Sequence, residues 1–237
     1  MKILAIECSS SPVSAALVCD GEILSHTFSN TKVTHSQTLF PVIESTLGNA
    51  NLNFSDIDAI SVSTGPGSFT GIRIGLATAK GLAQPKDLKC VGVSSLLAAA
   101  YMFLGENAIV CPVIDARCNQ VYTAFFEVSG NKVDRLSDDG AVTIDELVSK
   151  VKRTSDKKII LSLDAAKTVF NSVRGQANVF TAPEMLLSQS ALGVALYAQK
   201  AIENGDYTDY NGLVPVYLKL PQAERELRAK TGKEENL

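Results

Sequence analysis

The stretch KILAIECSSSPVSAALVCDGEILSHTF, residues 2–28, carries the features that decide the fold. Lys2–Glu7 is an apolar run that ends in an acid, which predicts a buried strand. A short polar loop follows. Val13–Cys19 and Glu22–Phe28 then flank Asp20-Gly21, a dipeptide typical of tight β-hairpins. The sequence therefore predicts a buried strand, an acidic residue at its end and a hairpin beside it.

The same order of features returns in the second half of the chain. Ile109–Ile114 leads to Asp115 and a short polar loop. Two apolar runs, Val121–Val128 and Lys132–Leu136, then flank a second turn, Ser129-Gly130-Asn131. A pattern that occurs twice at this scale indicates a duplicated unit.

Strand, acid, hairpin and helix is the opening of each lobe in the actin/Hsp70/sugar-kinase architecture. In that α/β fold two βββαβα-type lobes face each other, and the acids point into the cleft between them. We therefore predict an N-terminal lobe at residues 1–105 and a C-terminal lobe at 106–220. The strongly charged stretch at 221–237 predicts a mobile tail.

Composition excludes several classes of protein. Of 237 residues, 46% are hydrophobic and the net charge is −3, so a packed core is feasible, and the charge argues against binding nucleic acid through the bulk field of the chain. The five cysteines form no C-x-x-C pair, which favours free thiols in a reducing compartment. No apolar run approaches the roughly 18 residues of a membrane span. We expect a cytoplasmic protein.

A glycine-rich turn precedes a helix predicted from Ser68 to Gln84. The turn, Gly65-Pro66-Gly67, is neither a Walker A loop nor a dinucleotide fingerprint. Its backbone N–H groups at a helix start could still hold a phosphate. The favoured alternative is close packing, because small residues recur every four positions along one helix face: Gly67, Gly71, Gly75, Ala79 and Ala83.

The acids Glu7 and Asp115 are the second candidate for chemistry. In a kinase-like cleft such carboxylates hold Mg²⁺ or position an attacking oxygen. Neither loop that follows them contains glycine, so side chains would crowd a nucleotide. The favoured alternative is that both acids accept hydrogen bonds from nearby loop amides.

The sequence gives little support for a metal site or for a catalytic serine nucleophile. His26 and His35 fit no metal-ligand spacing, and no Gly-x-Ser-x-Gly segment marks a serine nucleophile. A basic cluster between Lys150 and Lys158 favours a solvated helix end, with a tRNA contact as the alternative.

Five stretches together resemble the bacterial TsaB (YeaZ) family. They are MKILAIECSSSPVSAALVCDG, HSQTLFPVIE, GPGSFTGIRIGLATAKGLA, IDAR at 114–117 and PVYLK at 215–219. The resemblance covers almost the whole chain and is most specific in GPGSFTGIRIG. It implies the two-lobed fold and a role in making threonylcarbamoyladenosine beside the anticodon of tRNAs that read codons beginning with A. In that pathway a TsaC-type enzyme makes threonylcarbamoyl-adenylate, and TsaD, supported by TsaB and the ATPase TsaE, transfers the threonylcarbamoyl group.

The resemblance also implies a non-catalytic scaffold. TsaD-like chains carry a His-x-x-x-His metal motif, and here Ser95 and Ala99 stand at the two histidine positions. Serine is a poor ligand for a transition metal and alanine is none. We expect no metal, no cofactor and no catalytic residue. The weak candidates for cofactor contacts are Glu7, Gly65, Gly67 and Asp115.

Two alternatives to the scaffold remain open. The first is a small kinase or ATPase of the same fold that uses Glu7 and Asp115. The second is a peptidase, which only the history of the superfamily supports.

Two helices of the first lobe, Thr34–Leu47 and Ser68–Gln84, carry more apolar residues than one sheet can cover. The resemblance implies pairing through such helices. We predict a homodimer when the protein is alone and a TsaD heterodimer when TsaD is present, with TsaE as a further partner and tRNA bound only through the complex. The predicted interface consists of Leu39, Phe40, Ile43, Leu47, Phe69, Gly71, Ile72, Gly75 and Leu76.

On this hypothesis Gly75→Leu or Phe40→Asp weakens both pairings and leaves the fold intact. The alternative is that all these side chains belong to the core.

Overall fold

The computed structural model describes residues 1–31, 33–154 and 157–219. The tail predicted at 221–237 lies outside these residues. Within them, no helix has the length and apolar character needed to cross a membrane. The cysteines at 8, 19, 90, 111 and 118 are all free thiols.

The first half of the chain builds one mixed sheet with helices on its faces. Its elements are β1 (Lys2–Glu7), β2 (Val13–Cys19), β3 (Glu22–Ser29), α1 (His35–Asn49), β4 (Ala59–Gly65), α2 (Phe69–Ala83), β5 (Lys89–Ser94) and α3 (Ser95–Tyr101). The strand order is β3-β2-β1-β4-β5. The predicted hairpin is confirmed, since β2 and β3 pair with Cys19 opposite Glu22.

The second half builds a larger sheet. Its elements are β6 (Asn107–Asp115), β7 (Gln120–Thr123), β8 (Phe126–Ser129), β9 (Lys132–Arg135), β10 (Gly140–Thr143), α4 (Ile144–Arg153), β11 (Ile159–Ser162), α5 (Ala166–Ser172), β12 (Val179–Thr181) and α6 (Ala191–Glu203). The main strand order is β10-β7-β6-β11-β12, and β8 joins β6 to β9.

The two sheets repeat one topology. β1 is antiparallel to β2 and parallel to β4, and β6 is antiparallel to β7 and parallel to β11. In each half the central strand ends in the acid that the sequence singled out, Glu7 or Asp115. The predicted α/β fold of two duplicated, actin/Hsp70/sugar-kinase-like lobes is therefore confirmed.

One predicted strand is wrong in detail. The run 121–128 was expected to form one strand, but it divides into β7 and β8. β7 pairs with the end of β6 from Val113 to Asp115, and β8 pairs with its start from Asn107 to Val110. The interruption falls opposite Pro112, which has no N–H to donate to a ladder.

The last helix returns to the first sheet. One face of that sheet is covered by α1 and α2, and α6 covers the other, packing against Ile3, Ala5 and Ala16. The division at residue 105 falls between α3 and β6, but α6, numbered with the second lobe, packs in the first. Successive residues of β1 point to opposite faces of the sheet, and both sets are buried. The second face therefore needs a helix to cover it.

α6 packs against α3 with the two helix backbones in close contact. A Cβ built on Gly193 would lie nearer to the Ala98 carbonyl oxygen in α3 than real Cβ atoms approach. Gly81 in α2 has no neighbouring atom within contact distance of a Cβ.

We expect Gly193→Ala to lower the free energy of unfolding by about 1–3 kcal/mol, because the new methyl group separates α6 from α3. The matched control Gly81→Ala should leave stability unchanged or raise it by up to about 1 kcal/mol, since alanine favours a helix. Urea denaturation of both variants measures the difference. Equal effects would contradict the close crossing.

Candidate functional site

The ends of β1 and β6 and the start of α2 meet at a cleft of about 380 Å³. Its walls come from both halves of the chain, as the fold requires. The lining residues are Ser9, Ser10, Ser11, Gly67, Ser68, Phe69, Ile114, Asp115, Ala116, Arg117, Tyr122, Asp164 and Lys219. This cleft is the place where chemistry in this architecture would occur.

Glu7 does not line the cleft but anchors the loop beside it. Its carboxylate Oε1 accepts hydrogen bonds from the Ser9 backbone N–H at 2.6 Å and from the Ser63 hydroxyl at 2.8 Å. The side chain is 1% exposed, and burial raises the pKa of the Glu7 carboxyl above its usual value. Its Oε2 accepts no hydrogen bond from the residues that the structure describes.

Asp115 does reach the cleft, but its oxygens are engaged. Oδ1 accepts a hydrogen bond from the Arg117 backbone N–H at 2.8 Å, and Oδ2 forms an ion pair with the Arg117 guanidinium at 3.3 Å. Asp164, which the sequence did not single out, accepts a hydrogen bond from the Asp115 N–H at 3.1 Å. Burial raises the pKa of the Asp164 carboxyl. The second acid of the cleft is therefore Asp164.

Backbone atoms of the chain itself occupy the space beside the glycine-rich turn. The Ser68 N–H at the start of α2 donates to the Ser9 carbonyl oxygen at 2.7 Å. A Cβ on Gly67 would overlap that same oxygen, and one on Gly71 would overlap the Cys8 carbonyl oxygen. Gly65, at φ 109°, lies against the Val216 backbone. These contacts favour the packing interpretation, because backbone atoms stand where a phosphate would bind.

Ser95 takes part in the same contact. Its hydroxyl donates to the Ser9 hydroxyl at 2.9 Å, so Ser9 joins β1, α2 and α3 through three different atoms. Ala99 is buried in the core. The His35 ring lies 2.6 Å from the Ser10 carbonyl oxygen and contacts the loop from α1. In the part of the chain that the structure describes, no three His, Cys, Asp or Glu side chains form a group that could hold a metal ion.

A segment after α6 ties the two halves together, and sequence reasoning did not give it a role. The Val216 N–H donates to the Thr64 carbonyl oxygen at 2.9 Å, on the first sheet. The Lys219 ammonium donates to the Ala116 carbonyl oxygen at 3.0 Å, in the loop directly after β6 of the second half. In the sequence, this segment was marked only by the resemblance of its PVYLK stretch to the TsaB family.

The basic cluster is partly neutralised. Lys157 forms an ion pair with Glu127, and Lys158 forms one with Glu106. Lys150, Lys152 and Arg153 lie in the last turn of α4, where cations stabilise a helix end. Asp156, which the sequence placed within this cluster, lies outside the described residues.

A protein-family model described as TsaD, tRNA N6-adenosine threonylcarbamoyltransferase, matches residues 22–224. The chain is 30% identical over 227 residues to the tRNA threonylcarbamoyladenosine biosynthesis protein TsaB of Bacillus subtilis, covering 94% of this chain and 96% of the relative. The chain belongs to the TsaB (YeaZ) family. This membership links it to tRNA threonylcarbamoyladenosine biosynthesis.

Further comparisons agree with the TsaB family and its fold. TsaB of Escherichia coli is 35% identical over 150 residues, which are 62% of this chain and 64% of that protein. The structure of YeaZ from Pseudomonas aeruginosa has a TM-score of 0.78 at 24% identity, over 92% of this chain and 99% of that one. The activator of 2-hydroxyisocaproyl-CoA dehydratase from Clostridium difficile, solved with bound ADPNP, has a TM-score of 0.52 at 12% identity, covering 86% and 97% of the chains.

Most of the predicted interface residues lie inside the chain. Seven of the nine are buried, and the apolar ones among them lie in the core between the helices and the sheet, where α1 packs on β2 and β3 and α2 packs mainly on β4. The buried residues are Leu39, Ile43, Leu47, Gly71, Ile72, Gly75 and Leu76. Their burial favours the core alternative for these seven residues, because their own sheet covers the stripe that helical periodicity revealed. Gly75→Leu would meet Cys8 and Val62 in the core and could not leave the fold intact.

Phe40 and Phe69 are the two that remain accessible. Phe40 is 52% exposed on α1, and Phe69 is half-buried at the start of α2. The accessible residues of the predicted interface therefore lie outside the buried apolar stripe of the two helices.

The buried Glu7 predicts a specific pH dependence of stability. Because burial raises its folded-state pKa above the usual 4.5, the folded protein favours the neutral acid. The stability that Glu7 contributes is then full below the usual pKa and is lost as the pH rises through the raised folded pKa.

We expect Glu7→Gln, which stays neutral, to gain stability relative to the wild type as the pH rises from about 4 to 8. Urea denaturation at each pH measures the difference. Asp58→Asn, in the loop before β4, serves as an exposed control. A stability difference between Glu7→Gln and the wild type that is independent of pH would show that Glu7 does not titrate in this range.

Proposed function

We propose that this chain is a non-catalytic scaffold that pairs with TsaD and activates it in threonylcarbamoyl transfer to the adenosine beside the anticodon. The observation that carries the proposal is the filled start of α2. Ser9 and Cys8 place their carbonyl oxygens against Ser68 and Gly71, where an active member of the fold needs open N–H groups. A helix start occupied by the chain's own backbone suits a chain that keeps the fold for binding a partner.

The residues at the two histidine positions of TsaD-like chains support the same proposal. Ser95 is used in a hydrogen bond to Ser9, and Ala99 carries no donor. At these two positions the chain carries no side chain that could replace the histidines as metal ligands. The relatives named TsaB are called biosynthesis proteins, which is consistent with an accessory subunit.

Reconstitution with TsaC, TsaD, TsaE, tRNA, threonine, bicarbonate and ATP tests the proposal. We expect modified tRNA only when both this chain and TsaD are present, and none when TsaD is omitted. Product formed by this chain without TsaD would show that it is the transferase. Normal product formed in its absence would exclude an activating role.

The alternative is a small kinase or ATPase of the same fold that uses Glu7 and Asp115. The dehydratase activator, whose fold is similar, was solved with bound ADPNP. In the isolated chain we expect calorimetry to detect weak binding of Mg-ATP or none, because α2 and the glycine-free loops leave little room for phosphates. A micromolar dissociation constant together with turnover would favour the kinase.

Phe40 provides a direct test of the partner surface. We expect Phe40→Asp to weaken TsaD binding and self-association about tenfold or more, because a charge replaces an exposed apolar contact. Leu136→Asp in the second lobe is the matched control, since Leu136 is also 52% exposed. Thermal melts establish that both variants fold, and analytical ultracentrifugation measures both pairings. Equal losses in the two variants would contradict a surface on α1.

A further inference from the structure

Two stretches that resemble the TsaB family, GPGSFTGIRIG and PVYLK, meet on the surface through two side-chain contacts. Arg73 Nε donates a hydrogen bond to the Tyr217 hydroxyl at 2.8 Å, although the residues are 144 positions apart. Tyr217 stacks on Phe69, with ring centroids 4.4 Å apart and an interplanar angle of 14°. We call Phe69, Arg73 and Tyr217 the aromatic–arginine cluster.

The guanidinium lies beside the stacked pair of rings. Its carbon is 5.8 Å from the Phe69 centroid and 5.6 Å from the Tyr217 centroid. Contact with the two rings and the hydrogen bond of Nε restrict the rotamers of Arg73, so the entropy lost when it binds a further group is reduced. The cluster is therefore preorganised on the outer side of α2.

The charge of Arg73 has no partner in the part of the chain that the structure describes. None of the ion pairs there includes it, and its one hydrogen bond uses Nε. The terminal N–H groups of a guanidinium form a planar fork that matches the two oxygens of a carboxylate. The stacking of Tyr217 on Phe69 would be enough to hold the C-terminal segment in place. The positive charge of Arg73 is therefore not needed for that structural role.

The cluster is accessible from outside the chain. Tyr217 is 38% exposed, and Arg73 is exposed as well. One cation beside two aromatic rings fits a protein surface that carries a single carboxylate. A nucleic-acid backbone requires several cations to replace its counterions, and the cluster offers one. Aromatic residues and arginine are also the side chains that most often dominate protein interfaces.

We propose that the aromatic–arginine cluster binds an Asp or Glu side chain of the TsaD-type partner. This inference rests on the proposed function, since it names the partner. It extends the partner surface from α2 to the C-terminal segment, and it gives Arg73 of the GIRIG stretch a role outside the cleft.

Three variants of the full-length chain separate the parts of the contact. Arg73→Ala removes the fork, Arg73→Lys keeps the charge without the planar fork, and Tyr217→Phe removes the hydroxyl that orients Nε while keeping the stacked ring. Arg174→Ala is the matched control, because Arg174 is exposed in the second lobe and forms no ion pair among the described residues. Thermal melts check that each variant is folded.

Biolayer interferometry with TsaD from the same organism measures the affinities. We expect Arg73→Ala to weaken binding about tenfold or more, Arg73→Lys nearly as much, and Tyr217→Phe several-fold. Arg174→Ala should bind as the wild type does. Carboxyl-group labelling of TsaD should find an Asp or Glu that the wild-type chain protects and Arg73→Ala does not.

Several results would overturn the inference. If wild-type chain does not bind TsaD, the proposed function fails with it. If wild-type chain binds and folded Arg73→Ala binds within twofold, the pairing stands and the cluster has no part in it. A loss in self-association alone, with TsaD binding unchanged, would assign the cluster to a second copy of this chain. Unchanged carboxyl protection would exclude a carboxylate as its ligand.

Discussion

The contact between the loop after β1 and the start of α2 is the constraint on which the rest of the structure depends. Ser9 accepts a hydrogen bond from Ser68 through its carbonyl oxygen, donates its N–H to Glu7 and accepts from Ser95 through its hydroxyl. Backbone can approach this closely only because positions 67 and 71 carry no Cβ. One residue thus sets the positions of a strand, two helices and the edge of the cleft.

The same contact separates the fold from the chemistry usually found in it. In a nucleotide-binding member of the architecture, the strand-end loop and the helix start leave space for phosphates. Here that space is occupied by main chain, and the carboxylate of Glu7 turns inward to hold the loop at 1% exposure. Asp115 lines the cleft but is engaged by Arg117. The two lobes keep the fold, while backbone occupies the position of the phosphates. This is the physical basis for proposing a scaffold.

Tertiary packing also decides which surface a partner can reach. The apolar stripes of α1 and α2 are used by their own sheet, and α6 returns from the second half to cover the opposite face. Among the residues considered for a partner surface, Phe40 and the aromatic–arginine cluster remain accessible. The segment that contains Tyr217 contacts both halves through Val216 and Lys219, so the cluster lies beside the chain's own connection between its lobes.

Local chemistry in the sequence was sufficient for the fold class. The run 2–7, the dipeptide Asp20-Gly21 and the repeat at 109–115 each report a strand or a turn through neighbouring residues alone. Helical periodicity likewise revealed the apolar stripe of α2. It did not reveal what covers the stripe, because burial against a sheet and burial against a partner protein produce the same sequence pattern. The break opposite Pro112, the seat of α6 and the pairing of Arg73 with Tyr217 join residues far apart in the chain. Only the tertiary structure decided them, because such contacts depend on how separate elements pack and leave no local pattern in the sequence.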